Sequence, residues 1–126
     1  FSEYSNAPKA KRSFKSIYIY LSLPREQLYE RINKRVDLMV QRGLIEEAMT
    51  LYKFRHLRSL QTVGYQELFA HFDGQYSESE ALNKIKQHSR NYAKRQITWF
   101  RNQGNWHKTN PADIASIISW VKDKIN

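Results

Sequence analysis

Beyond Ser77, apolar residues recur at the spacing of one helix face: Ala81, Leu82, Ile85, Tyr92, Ala93, Trp99 and Phe100 share one broad arc at roughly 100° per residue. Just ahead of them, Ser77-Glu78-Ser79-Glu80 has the form of a capping box, which satisfies N–H groups left open at a helix start. These signals predict a helix from Glu78 to Arg101. Lys86, Arg90, Lys94 and Arg101 occupy a narrow arc opposite, so one face suits a core and the other suits solvent or an anionic partner. Ile97 falls inside the basic arc, where a purely solvated face would carry another polar residue, and this makes it a candidate for contact with a partner.

Elsewhere the pattern is shorter. Ser16-Ile17-Tyr18-Ile19-Tyr20-Leu21 is aromatic and β-branched and reads as a buried strand. Pro24 suits the first turn of a helix running to Gln41, with Gly43 as its stop and Leu28, Tyr29, Ile32, Val36, Met39 and Val40 as its apolar arc. A helix over Leu44 to Lys53 follows, then a short helix from Tyr65 to Phe72 closed by Asp73-Gly74. Asn105-Trp106-His107-Lys108 reads as a second short strand. Asn110-Pro111-Ala112-Asp113 then starts a helix whose packing stripe is Ile114, Ile117, Ile118, Val121 and Ile125. The expected fold class is mainly α with one or two short strands. Two such strands alone leave unpaired backbone along their edges, so the sheet they belong to is expected to lie outside this chain. Residues 1–15 mix Ser, Asn and Pro with Lys9, Lys11, Arg12 and Lys15 and show no apolar period, which reads as a flexible basic lead-in to a helical part spanning 16–126.

Composition narrows the function classes. With 126 residues, 40% hydrophobic and 26% charged, the chain can bury a core. A net charge of +9 favours nucleic acid or an anionic membrane surface, without choosing between them. The absence of cysteine excludes a disulfide framework, a zinc–thiolate site and a cysteine nucleophile, and fits an intracellular chain. The four histidines show no metal-ligand spacing, so no metal site is expected in this chain. No apolar run approaches the roughly 20 residues of a membrane span. The first residue is Phe1 rather than methionine, which points to a part of something longer.

Three segments carry candidate chemistry. In Lys94-Arg95-Gln96-Ile97-Thr98-Trp99-Phe100-Arg101, cations and aromatic rings are mixed as a polyanion with flat bases would require. The helix arc puts Trp99 and Phe100 on the core side as support and leaves Lys94 and Arg101, extended by Arg90, as backbone-phosphate ligands. On the Pro24 to Gln41 helix, Arg31, Arg35 and, if the helix reaches it, Arg42 fall within about 40° of one another. That face is open to two readings: donors gripping an anion, or a solvated face held by the Glu30/Lys34 helical pair. In Gln61-Thr62-Val63-Gly64-Tyr65-Gln66, a glycine before a helix lets backbone approach another molecule. Thr62 and Gln66 offer hydrogen bonds and Tyr65 a stacking plane, as in readers of single-stranded loops, although an ordinary helix start with a core tyrosine has the same pattern.

The same residues carry a family resemblance. Leu28-Tyr29-Glu30-Arg31-Ile32-Asn33-Lys34-Arg35-Val36-Asp37-Leu38-Met39 with Gly43-Leu44-Ile45-Glu46-Glu47, then Thr62-Val63-Gly64-Tyr65-Gln66-Glu67-Leu68, then Ala93 to Arg101, resemble in order and spacing the C-terminal part of tRNA dimethylallyltransferases. These enzymes, also called tRNA isopentenyltransferases or the IPP transferase family, attach an isoprenoid group to the adenosine 3′ of the anticodon. The resemblance covers Ser16 to Trp106. It implies a cytoplasmic, monomeric enzyme with an α/β core of the P-loop, nucleotide-binding type. Its partners would be the tRNA anticodon stem-loop and dimethylallyl diphosphate, with Mg²⁺ in the full-length protein and none on this chain. It makes Arg35 the preferred diphosphate ligand and Arg31 the second. It also implies tRNA contact by Gln61, Thr62, Val63, Gly64, Tyr65 and Gln66, and by Arg90, Lys94, Arg95, Gln96, Ile97, Thr98, Trp99, Phe100 and Arg101. The family commonly has a basic residue where Gln66 stands, so no phosphate contact is implied there. The four glycines, Gly43, Gly64, Gly74 and Gly104, cannot form a Gly-x-x-x-x-Gly-Lys-Ser/Thr loop. The phosphate loop and the family's proton-accepting aspartate are therefore expected in an absent N-terminal part, and these residues alone are expected to be inactive. The alternative is a stand-alone basic helical module for RNA or an acidic membrane surface, without catalysis.

Overall fold

Two compact units make up the chain in a computed structural model that describes residues 10–104 and 106–126. The larger, Leu23–Gly104, contains helices α1 (Arg25–Gln41), α2 (Leu44–Leu51), α3 (Tyr65–Phe72) and α4 (Glu78–Asn102), with single 3₁₀ turns at Tyr52–Phe54 and Arg58–Leu60. Pro24 sits at the cap of α1, where its carbonyl accepts the Leu28 N–H at 3.0 Å. Gly43 separates α1 from α2 at φ 101°, a left-handed conformation that a side chain would oppose. Ser77 Oγ accepts the Glu80 N–H at 3.1 Å, so the expected cap starts α4. The α2 helix ends at Leu51, short of the expected Lys53. The chain tightens there into the first 3₁₀ turn, with the Tyr52 hydroxyl donating to the Asp73 carboxylate and the Arg55 guanidinium 4.2 Å from the Tyr52 ring centre. The bond to Asp73 raises the Tyr52 phenol above its usual range.

The core of this unit is Val36 from α1, Leu44 and Ala48 from α2, Leu68 and Phe69 from α3, and Ala81 and Ile85 from α4. Only the first third of α4 is therefore buried. Tyr92 and Trp99, placed on the core arc by the helix periodicity, are 55% and 51% exposed. The reason is length: α4 has 25 residues and α3 only 8, so at about 1.5 Å per residue α4 runs far past the helix that covers its start. The basic arc also divides. Lys86 pairs with Asp37 at 2.7 Å and an Arg90 guanidinium N–H donates to Asn33 Oδ1 at 2.8 Å, so the near half of the arc joins α4 to α1.

The second unit includes the described residues 10–22 and 106–126. Strand β1 (Ile19–Leu21) pairs in parallel with β2 (His107–Thr109), with Ile19 opposite His107 and Leu21 opposite Thr109. Further bonds run from the His107 N–H to the Tyr18 carbonyl at 2.9 Å and from the Ser22 N–H to the Thr109 carbonyl at 2.8 Å. Both strands are shorter than expected, β2 is shifted toward Thr109, and Asn105 lies outside the described residues. Leu21 is exposed and Tyr18 largely so, hence β1 is not a fully buried strand within this unit. Helix α5 (Ile114–Ile125) is capped by Asp113, whose side chain accepts the Ser116 N–H at 3.2 Å. Its expected stripe is only partly covered: Ile114, Ile118 and Ile125 are exposed, while Ile117, Trp120 and Val121 are half-buried. Trp120 stacks on His107, 4.0 Å apart and nearly parallel, so the covered side of α5 includes Trp120 beside the expected stripe. Residues 10–15 have no helix or strand, and the earlier part of the basic lead-in, with Lys9, lies outside the described residues.

Candidate functional site

A groove of about 680 Å³ opens in the larger unit between α1, the segment before α3, and α4. Its floor is apolar, made by Leu28, Ile32, Val36 and Met39 of α1 and Ile85 of α4. Polar groups also line it: Arg35 from α1, Thr62 beside Val63 from the loop, and Ser89 and Gln96 from α4, together with Tyr92 and Ala93. An apolar floor with a few convergent donors is the ordinary build of a small-molecule or base pocket. Four of the sequence-derived site residues, Arg35, Thr62, Val63 and Gln96, thus come from three separate segments to one place.

The other arginines of the α1 arc do not line it. Arg31 is exposed beside the Glu30–Lys34 ion pair, which forms at 3.0 Å as the solvated-face reading requires. Arg42 lies just past the helix, at its C-terminal cap. Of these three arginines, Arg35 is the one that lines the groove, and like Arg31 it is exposed.

The Gln61–Gly64 segment is held from beneath. Gly64 is buried with φ 109°, and a Cβ there would meet nothing within 4 Å, so glycine is required by backbone conformation rather than by space. Its N–H donates to Glu67 Oε2 at 2.6 Å, and the other oxygen of Glu67 accepts from His88 Nδ1 of α4 at 2.7 Å. Glu67 is 3% exposed. Thr62 and Val63 are left on the exposed rim. The Tyr65 ring stacks on Phe69 with centres 5.9 Å apart, and its hydroxyl donates to Glu47 Oε1 at 2.6 Å, a bond that raises the phenol above its usual range. One face of the half-buried Tyr65 ring is thus taken up inside the unit. Gln61 and Gln66 line a separate shallow depression with Arg55 and Asp73.

On the far half of α4, Lys94, Arg95 and Arg101 are exposed. The Arg95 guanidinium lies 5.8 Å from the Tyr92 ring centre, and the Thr98 hydroxyl donates to the Lys94 carbonyl at 3.1 Å. Ile97 and Phe100 are half-buried, and Trp99 meets Phe100 edge-to-face at 4.9 Å. The reading of Trp99 as core support is corrected here, since half of the indole faces outward. Sequence reasoning missed the roles of Glu67, His88 and Asn33. Glu67 had a signal, standing three residues after a helix-starting glycine where a carboxylate can reach back to the cap N–H. Asn33 and His88 had none, because their partners are distant in sequence.

Among the described residues, no three His, Cys, Asp or Glu side chains are grouped so as to hold a metal ion. No helix of the described residues is long and apolar enough to cross a membrane.

Comparison with known proteins shows the family of the chain. The chain is 46% identical to the tRNA dimethylallyltransferase of Christiangramia forsetii over all of its own length and 42% of that protein's. It is 47% identical to the tRNA dimethylallyltransferase of Flavobacterium johnsoniae over 99% of its length and 41% of that protein's. Among solved structures, the full-length tRNA isopentenylpyrophosphate transferase of Bacillus halodurans is similar with a TM-score of 0.76 and 42% identity, over 86% of this chain and 37% of that one. The tRNA delta(2)-isopentenylpyrophosphate transferase of Staphylococcus epidermidis gives 0.77 and 40%, over 90% of this chain and 39% of that one. The chain thus spans about two fifths of the length of the curated relatives it matches. The IPP transferase family model matches residues 1–103, which is most of the chain, and the chain belongs to that family.

Proposed function

We propose that this chain is the tRNA-binding and diphosphate-assisting portion of an enzyme that transfers a dimethylallyl group from dimethylallyl diphosphate to N6 of the adenosine 3′ of the anticodon. The observation that carries the proposal is the convergence of Arg35, the Thr62–Val63 rim and Gln96 on one apolar-floored groove. In the reaction, the adenosine N6 forms a bond to the terminal prenyl carbon as the carbon–oxygen bond breaks, the diphosphate leaves with the electron pair, and the amine gives up a proton. Arg35 supplies N–H donors to the oxygens on which charge accumulates. Thr62 and Gln96 supply hydrogen bonds to a nucleotide lodged on the apolar floor, while the exposed Lys94, Arg95 and Arg101 meet tRNA phosphates. The proton acceptor and the phosphate loop belong to the remainder of the enzyme.

The direct test is to incubate the full-length protein with dimethylallyl diphosphate and an unmodified tRNA carrying adenosine 3′ of its anticodon. Prenylated adenosine is the expected product; a folded preparation that binds tRNA yet forms none would overturn the proposal. The phosphate contacts have their own test. Replacing Lys94 and Arg101 together by alanine should leave folding intact, since both are exposed. The slope of log affinity for tRNA against log salt should flatten by about 0.7 to 0.9 per lost contact, for two contacts. Salt-titrated binding measures this, and an unchanged slope would remove both residues from the interface.

A further inference from the structure

We infer that Glu67 is a positioning residue for tRNA recognition: its buried carboxylate, shared between the Gly64 N–H and His88, fixes the Thr62–Val63 rim at the groove. This deepens the proposed function and rests on it.

The argument starts from what burial demands. A carboxylate that is 3% exposed needs partners for its oxygens, and here each has one: Oε2 accepts from Gly64 at 2.6 Å and Oε1 from His88 at 2.7 Å. The two partners belong to different segments. Gly64 ends the loop that presents Thr62 and Val63 to the groove, and His88 stands on α4 one residue before Ser89, which lines the same groove. A single side chain on α3 therefore ties the loop to the helix that forms the opposite wall. Gly64 stands at φ 109°, with the pivot of the loop inside the unit and the contact-making residues outside it. Glycine there has many other conformations available, so an added constraint is needed to keep one of them. The Glu67 bond to its N–H is that constraint. Glu67 itself does not line the groove, so its effect on substrate must pass through the loop.

Steady-state kinetics of the full-length enzyme, with tRNA and dimethylallyl diphosphate varied separately, test this. Glu67→Leu removes both acceptors and should raise KM for tRNA about tenfold or more, with a much smaller change in KM for the prenyl donor, the signature of a displaced binding element. A purely structural role would lower the active fraction, and hence the apparent kcat, while leaving both KM values alone. Glu67→Gln should restore KM for tRNA to within about twofold of the unaltered enzyme, because a carboxamide oxygen still accepts from Gly64 and its NH₂ can pair with a neutral imidazole. If Glu67→Leu does not fold, His88→Ala reads the other half of the tie at a side chain that is 48% exposed. That variant should raise KM for tRNA roughly threefold, the scale of losing one hydrogen bond that orients a contact. Unchanged KM for tRNA in folded Glu67→Leu, or in His88→Ala where the leucine variant fails, would overturn the inference, as would a Gln variant no better than Leu. An unaltered enzyme that does not prenylate tRNA at all would instead refute the proposed function, so the two failures are distinguishable.

Discussion

Alanine in place of Arg35 should lower kcat/KM for prenyl transfer by the full-length enzyme roughly 10²-fold, the scale of removing one preorganised donor at a developing oxyanion. The size follows from where the charge appears. In the bound diphosphate ester the negative charge is already shared with other ligands, but as the carbon–oxygen bond breaks the bridging oxygen gains charge, and a donor fixed at that point is worth more in the transition state than in the ground state. Arg35 is the arginine of the α1 arc that lines the groove, together with Val36 and Met39, whereas Arg31 does not line it and stands next to the Glu30–Lys34 pair in sequence. Arg31→Ala should therefore cost far less. Arg35→Lys keeps the charge and loses the planar fork, and should recover only part of the rate. Affinity for tRNA should change little in all three variants. Steady-state kinetics with separate tRNA-binding measurements decide the matter: Arg35→Ala with unaltered kinetics would assign the residue to solvation, and equal losses at Arg31 and Arg35 would mean that the groove is not where the diphosphate sits.

Helix existence was readable because helix signals are local. The Ser77 cap, the Gly43 stop and the helix start after Asn110-Pro111-Ala112-Asp113 each depend on a few neighbouring residues, and each helix begins or ends where the sequence implies. Which face of a helix is covered depends on what packs there, and periodicity does not report how far a partner extends. The arc containing Ala81 and Ile85 is continuous with Tyr92 and Trp99, yet the first pair is buried and the second half exposed. The α5 stripe shows the same limit, since Trp120, outside the stripe, is half-buried against His107 while Ile114, Ile118 and Ile125 are exposed. The groove was legible in part. Arg35, Thr62, Val63 and Gln96 each stood in a segment with its own signal, but their meeting is a property of helix packing. Arg90 was read as a phosphate ligand because it lies on the basic arc, and its bond to Asn33 spans a separation in sequence that no local pattern encodes.

Leu68→Ala should destabilise the protein by about 3 kcal/mol, while Trp99→Ala should cost only on the order of 1 kcal/mol, despite removing the larger side chain. Leu68 is completely buried in α3 among the core residues of α1, α2 and α4, and its truncation leaves a cavity that rigid helices cannot close. Trp99 has half its surface outside and meets Phe100 through an edge, so its loss removes less buried area and opens no void. In thermal melts of the full-length protein, Leu68→Ala should lower the transition by roughly 5 to 10 °C and Trp99→Ala by far less. Their effects on tRNA should run the other way. Folded Leu68→Ala protein should bind tRNA nearly as well as the unaltered enzyme. Trp99→Ala should weaken binding by several-fold while folding is retained, because a half-exposed indole one helical turn from Arg95 offers a base a stacking surface worth about 1 to 3 kcal/mol. A Trp99→Ala protein that melts as early as Leu68→Ala would show that the indole is covered in the whole enzyme, and would return it to the core that the helix arc first suggested.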